Sequence, residues 1–262
     1  MPRKKQKKPK TILSLILGIL LLLAGYAGIS LPQNLGSLPD VATYVIERLL
    51  SGHVQEPAEI PQASGPALKL SEIPPYRGEP YATLRDNQPG FTDSDLSTGS
   101  FETYSELDSL GRCGVAFANI GKDLMPTGKR ESIGQVKPSG WHTVKYDNIE
   151  AKYLYNRCHL IGYQLTAENA NRNNLITGTR YMNESMIPFE DKVADYVKKT
   201  GKHVLYRVTP IFQGNDLVAR GVQMEALSVE DRGESIRFHV FCYNVQPGID
   251  IDYSTGESKL KK

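Results

Sequence analysis

Cysteine is scarce in this 262-residue chain: it has only Cys113, Cys158 and Cys242. Three cysteines are too few for a disulfide scaffold, and an odd count leaves at least one free or paired between chains. No Cys-x-x-Cys or zinc-type Cys/His spacing occurs, which argues against a structural zinc module. Acidic residues are missing from residues 1–10, "MPRKKQKKPK", and charge of either sign is missing from residues 11–31, "TILSLILGILLLLAGYAGISL". There is no internal repeat. The globular part also has no long basic stripe, so nothing in it suggests binding of polyanions by bulk charge alone. The formal net charge of +2 hides this, because six of the 31 basic residues lie in the first ten positions, leaving 25 against 29 acids and a net of −4 elsewhere. An anionic partner must then be held by a local patch or a metal ion.

What the chain does have is ordered along its length. An uncharged run of 21 residues is long enough to cross roughly 30 Å of hydrocarbon at about 1.5 Å per residue. The basic tail before it follows the positive-inside rule and puts the rest of the chain outside the cytoplasm. The expected organisation is a cytoplasmic tail (1–10), a single-pass membrane anchor (11–31), a tether (32–75), a domain (76–253) and a C-terminal tail (254–262). A cleaved signal peptide over 11–31, giving a secreted protein, is the competing reading. The tether is rich in Pro, Gly, Ser and Ala, with one short amphipathic stretch, "DVATYVIERLLSG", capped by Asp40.

The domain reads as α+β, with an antiparallel sheet at its core. "GRCGVAFANIG" (111–121) and "GWHTVKY" (140–146) read as strands. "HVLYRVTPIF" (203–212), "DLVARGVQMEALSVED" (216–231) and "SIRFHVFCYNV" (235–245) read as a meander separated by "QGN" and "RGE" turns. Between them, Phe189, Val193, Tyr196 and Val197 fall at helical spacing and Gly201 supplies a stop. Pro188 is expected to kink this helix or to open a second one. The last residues, "ESKLKK", read as a frayed tail.

Of the five histidines, His53 lies in the tether, and His142, His203 and His239 sit in strand-like runs where a satisfied or solvent-facing ring is usual. His159 stands apart. It closes the run "YLYNRCHL" and precedes the polar, Asn-rich loop "TAENANRNN" (166–174). Residues two apart in a strand share a face, so Arg157 and His159 point one way and Cys158 the other. That makes a Cys158–His159 thiol site geometrically awkward. The asparagines of the loop suit turns, but Asn183 sits in a helix-compatible context that turn chemistry does not explain. Its amide oxygen suits a hard cation. Glu190, seven residues on, falls on the same face of an unbroken helix, with Asp191 about a quarter turn away.

Asn156-Arg157-Cys158-His159, followed by Asn174 and Asn183 nine residues apart, resembles the DNA/RNA non-specific endonuclease family. That is the ββα-metal, or His-Me finger, type that includes the DNA-entry nucleases of Gram-positive bacteria. The family signature is Asp-Arg-Gly-His with two such asparagines, and the resemblance covers about residues 80–245. Asn156 stands where the signature has Asp, and Cys158 where it has Gly.

The resemblance implies a ββα-metal finger set into the sheet domain. It implies hydrolysis of phosphodiester bonds in DNA, and in RNA as well, leaving 5′ phosphates. His159 is then the general base and Asn183 the ligand of one Mg²⁺, with Mn²⁺ as a substitute. Arg157 faces phosphate or braces the site. Asn174 orients His159 or the ion's water shell, and Glu190 binds a metal water or a neighbouring arginine. Arg180 is a further phosphate contact. Binding should read the backbone without sequence specificity, and no organic cofactor is implied. Trp141 and Tyr181 are candidate stacking residues, with packing as the plainer role. The rival readings are a nucleic-acid-binding protein of the same fold with impaired catalysis, a thiol enzyme built on Cys158, and a structural surface protein.

Overall fold

The computed structural model describes residues 68–261 except Thr98. The expected basic tail and membrane anchor lie outside the described residues, and so does most of the tether.

The described residues form ten strands and two α-helices. A six-stranded antiparallel sheet contains β1 (Tyr81–Thr83), β2 (Phe101–Tyr104), β3 (Ala116–Ile120), β6 (Val204–Ile211), β7 (Gly221–Ser228) and β8 (Arg237–Tyr243), in the order β1-β8-β7-β6-β3-β2. The expected meander is β6-β7-β8, with eight registered pairs between β6 and β7. A separate two-stranded ribbon is formed by β4 (Tyr155–His159) and β5 (Leu175–Thr179), with His159 opposite Leu175. Between these two strands lies the short helix α1 (Tyr163–Thr166), and α2 (Arg180–Thr200) follows β5 without a break. A second ribbon pairs β9 (Ile249–Ile251) with β10 (Ser258–Leu260).

The period-two pattern of the sheet strands explains where the core lies. Ala116, Ala118 and Ile120, then Val204, Tyr206 and Val208, then Met224 and Ala226, then Phe238, Val240 and Cys242 share one buried cluster. Met182, Met186, Val193 and Val197 of α2 complete that cluster. Each buried Val, Ile, Phe or Met among them stabilises the fold by roughly 1.5–3 kcal/mol relative to full exposure.

The opposite face of the sheet is partly polar and still buried. Arg207 and Glu225 are cross-strand partners joined at 2.7 Å, and His239 stands opposite Glu225 on the next strand. The preceding segment covers them: the Gly90 N–H donates to Glu225 at 2.7 Å, and a His239 ring nitrogen meets the Gln88 carbonyl at 2.7 Å. Arg207 also lies over the rings of Phe91 and Phe117. His239 is thus the satisfied strand histidine that its sequence context suggested.

Four expectations are corrected. Residues 140–146 form no strand and contribute only the isolated bridge Lys145–Tyr153. Their side chains are engaged elsewhere, His142 with the Thr255 carbonyl and Trp141 with Arg157. The "ESKLKK" tail is not frayed through Leu260, because β10 pairs with β9. The domain does not begin at 76: Leu68 is buried with Leu84, Ile211 and Phe241, and the Tyr243 hydroxyl donates to the Pro74 carbonyl. Pro188 does not open a second helix. It lies inside a single 21-residue helix, on the exposed side, where water can take the carbonyl that its missing N–H leaves free.

Removing one partner of a buried ion pair strands the other charge, at about 3–5 kcal/mol. Glu225→Leu should therefore lower stability by about that much in urea unfolding. The double variant Arg207→Met/Glu225→Leu should recover most of the loss. An unchanged urea midpoint for Glu225→Leu would show that the pair does not hold the covering segment.

Candidate active site

Strand alternation in β4 separates Cys158 from its neighbours. Cys158 is buried against Met186, with Sγ 3.5 Å from the Met186 sulfur. Burial pushes its thiol pKa far above the ordinary value, so it is not a nucleophile at neutral pH. Room for it is given up across the ribbon: a Cβ placed on Gly178 would lie 2.7 Å from the Cys158 Cβ and 2.8 Å from the Met182 methyl.

His159, on the other face, is only 7% exposed. Its Nε2 lies 2.8 Å from the Asn169 backbone carbonyl. A carbonyl only accepts, so Nε2 carries the proton and Nδ1 keeps its lone pair. That lone pair accepts from Arg130 Nη2 at 3.2 Å. Burial holds the imidazole pKa below the ordinary histidine value. The Arg130 charge adds to the lowering, while hydrogen bonds at Asn169 and Glu168 oppose it. The ring is a neutral base at physiological pH.

Helix α2 supplies the facing wall. Its N-cap Thr179 accepts from the Met182 N–H at 3.0 Å and donates to the Val245 carbonyl, fixing where the helix starts. Because the helix runs unbroken through Pro188, Asn183 and Glu190 stand two turns apart on one side. Together with His159 and Arg130 they line a cavity of about 240 Å³. Burial, with Asp191 adding to it and Arg130 opposing it, pushes the Glu190 carboxyl up to about 7. The carboxylate packs on Gly162, where an added Cβ would lie 2.8 Å from Glu190 Oε2.

The remaining expected residues are placed as follows. Asn174 does not reach the cavity. It is fully buried, and its amide accepts from the Ile161 N–H and donates to the Ile161 carbonyl, both at 2.9 Å. It therefore shapes the turn after His159 and touches neither the imidazole nor the cavity. Arg157 is turned away from the His159 cavity, toward an adjoining groove. It stacks on Trp141 at 4.1 Å and donates to the carbonyls of Val136 and Gly134, bracing that loop. Arg180 lines the same groove and pairs with Glu184 at 2.9 Å. The groove, about 510 Å³, shares Arg130 and Asn183 with the His159 cavity. Sequence reasoning missed Arg130 and Gly162. Arg130 sits in "TGKRES", a polar run indistinguishable from a solvated loop, and Gly162 looks like any turn glycine.

The residues present fit one hard, largely hydrated cation. Among the described residues, no side-chain hydrogen bond or ion pair engages Asn183 or Glu190. Nor is any group of three or more His, Cys, Asp and Glu gathered to hold an ion. An amide oxygen and one carboxylate facing a cavity suit an ion that keeps most of its waters.

Residues 93–230, more than half of the chain, match the model of the DNA/RNA non-specific endonuclease family. The chain belongs to that family. The solved structure of NucA from Streptococcus agalactiae, with magnesium bound, is similar over 68% of this chain and 86% of its own, at 27% identity and a TM-score of 0.60. Sda1 nuclease, solved with zinc, is similar over 70% of this chain and 96% of its own, at 29% identity and a TM-score of 0.56. A deoxyribonuclease from Streptococcus dysgalactiae subsp. equisimilis is 25% identical over 87% of this chain and 75% of its own length. The mixed α+β architecture with its antiparallel sheet matches the solved NucA and Sda1 structures, and the family membership makes the chain a phosphodiester-hydrolysing enzyme.

Asn174→Ala leaves the Ile161 N–H and carbonyl unpaired in the interior, each at about 1–3 kcal/mol. It should lower the melting temperature and the turnover rate together. Loss of turnover with an unchanged melting temperature would instead place Asn174 in contact with the chemistry.

Proposed function

We propose that this endonuclease hydrolyses the phosphodiester backbone of DNA, and of RNA, with His159 as general base and a single hydrated Mg²⁺ held at Asn183. The observation that carries this reading is the His159 ring. Its proton is fixed on Nε2 by Asn169, its Nδ1 lone pair meets Arg130, and the residue lines one cavity with Asn183, Glu190 and Arg130. The name of the streptococcal deoxyribonuclease supports DNA as substrate. Magnesium in NucA supports the choice of ion, while zinc in Sda1 shows that a related protein accepts another.

The ion, when bound, supplies positive charge to the developing phosphorane and the leaving 3′ oxygen. Asn183 would offer it an amide oxygen, and the Glu190 carboxylate would accept hydrogen bonds from its waters. His159 takes the proton of the attacking water at Nδ1, and the Asn169 carbonyl holds the imidazolium that forms. Arg130 must leave Nδ1 for this to happen, because a guanidinium cannot stay against a protonated imidazole. Substrate phosphate gives it a better partner, through two parallel charge-assisted hydrogen bonds. Arg130 therefore guards the base in the free enzyme and binds phosphate in the complex. Products carry the 5′ phosphate. The proposed setting is outside the cytoplasm: residues 11–31 anchor the chain in the membrane, or are cleaved to release it.

Plasmid nicking in Mg²⁺ should stop with EDTA and fall about 10²–10⁴-fold in His159→Ala. If the protein binds DNA but never cuts it with Mg²⁺ or Mn²⁺, it is the catalytically impaired binder.

A second test uses pH. An ionised Glu190 is required, so kcat/KM should rise with pH as the carboxyl loses its proton, at a midpoint that Mg²⁺ draws down from the metal-free value of about 7. Glu190→Gln should remove that limb, at lower activity, and leave only the His159 limb below the ordinary histidine value. The linkage has a fixed sign. A carboxyl whose folded pKa is raised holds its proton longer in the folded state, so stability falls as pH rises from the unfolded value toward 7. Without metal, Glu190→Gln should raise the melting temperature at pH 8 and leave it nearly unchanged at pH 4. A Glu190→Gln protein no more stable at pH 8 would place the carboxylate in solvent.

A further inference from the structure

The His159 cavity has one apolar, solvent-open wall that the mechanism above does not use. Ile187 lines the cavity and is 42% exposed. A single exposed isoleucine on a surface is ordinary. This one stands on α2 one turn past Asn183 and one turn before Glu190, between the two groups that serve the ion. Packing does not account for it. The helix turns Met182, Met186 and Val193 into the core, and Ile187 lies outside that row.

The polar neighbours of Ile187 in the cavity already have tasks. Both ring nitrogens of His159 are engaged, by Arg130 and Asn169. The Tyr163 hydroxyl donates to the Gly128 carbonyl at 3.1 Å, and the Gln164 amide nitrogen donates to Asp191 at 2.9 Å. A substrate hydroxyl pressed against Ile187 would therefore exchange water for a methyl surface. Nucleic acids differ in that one group: RNA carries a 2′-OH where DNA carries a methylene, and a protein tells the two apart through it. Four residues of α-helix rise about 6 Å. A phosphate held between His159 and an ion on Asn183 thus brings a flanking sugar onto Ile187.

We propose that Ile187 is a specificity-determining residue, packing on the sugar beside the scissile phosphate and favouring deoxyribose over ribose. The proposal rests on the nuclease reading of the His159 cavity and narrows it: RNA is cut, but more slowly than DNA. An apolar contact rejects an added hydroxyl by no more than about 10²-fold. Ile187 is partly open to water, which can still solvate the hydroxyl, so the expected discrimination is about tenfold.

The test uses the full chain in Mg²⁺ and an end-labelled single-stranded DNA oligonucleotide carrying one ribonucleotide. Cutting at the bonds flanking the ribose is compared with cutting at the same bonds in the all-DNA strand. The wild type should cut beside the ribose about tenfold more slowly. Ile187→Asn, which offers the 2′-OH a hydrogen-bond partner, should reduce that ratio at least threefold, whatever its rate on DNA. Ile187→Val, which keeps a branched apolar side chain, should retain most of the discrimination. A wild type that cuts beside ribose and deoxyribose equally, or a ratio unchanged in Ile187→Asn, overturns the role of Ile187 and leaves the nuclease reading intact. Relief in Ile187→Val as large as in Ile187→Asn also overturns it, since the apolar contact would then not be the cause. A wild type that cuts neither strand overturns the nuclease reading and the proposal with it.

Discussion

The site depends on how closely α2 lies across the β4–β5 ribbon. His159 comes from one side of that contact, and Asn183 and Glu190 from the other. The seam is made of Cys158, Met182 and Met186 over the bare Cα of Gly178. A Cβ at Gly178 would push the helix outward, and both α2 groups would move with it. Interiors are packed too densely to absorb such a shift locally. The same contact shows how the signature tolerates Cys158: the volume it adds on β4 is met by the absence of a side chain at Gly178.

Charge in the cavity is balanced among three groups that face one another. Arg130 lowers the pKa of both His159 and Glu190, while burial acts on the two in opposite chemical senses, keeping the histidine neutral and the carboxyl protonated for longer. In the free protein this leaves a neutral base, a carboxyl titrating near neutrality, and a guanidinium resting on the base. A cation near Asn183 and a phosphate near Arg130 would each relieve part of that arrangement. A site poised in this way costs stability in the free state and regains it on binding.

Several supports of the site are backbone groups whose placement is set far along the chain. The Asn169 carbonyl fixes the imidazole tautomer, Ile161 is clasped by Asn174, and Val136 and Gly134 are braced by Arg157. Two of the signature residues, Arg157 and Asn174, thus act through the loops they hold. Their position in the motif marks them as important but does not show which atoms they touch.

The sequence by itself determined the sheet meander, the strand spacing of Arg157 and His159, and the helix face shared by Asn183 and Glu190, while the grouping of His159 with that face came from the motif's likeness to the family signature. Each rests on a local period, two residues in a strand or 3.6 in a helix, and on motif spacing. It misjudged residues 140–146, the "ESKLKK" end and Pro188, because strand pairing and tolerance of a proline depend on what lies alongside. Only the tertiary structure decided that Arg130 caps the base, that Glu190 rests on Gly162, and that Asn174 serves the turn and not the cavity. Those contacts join residues from 13 to 29 positions apart in sequence. No local pattern encodes them, because they arise when packing closes the chain on itself.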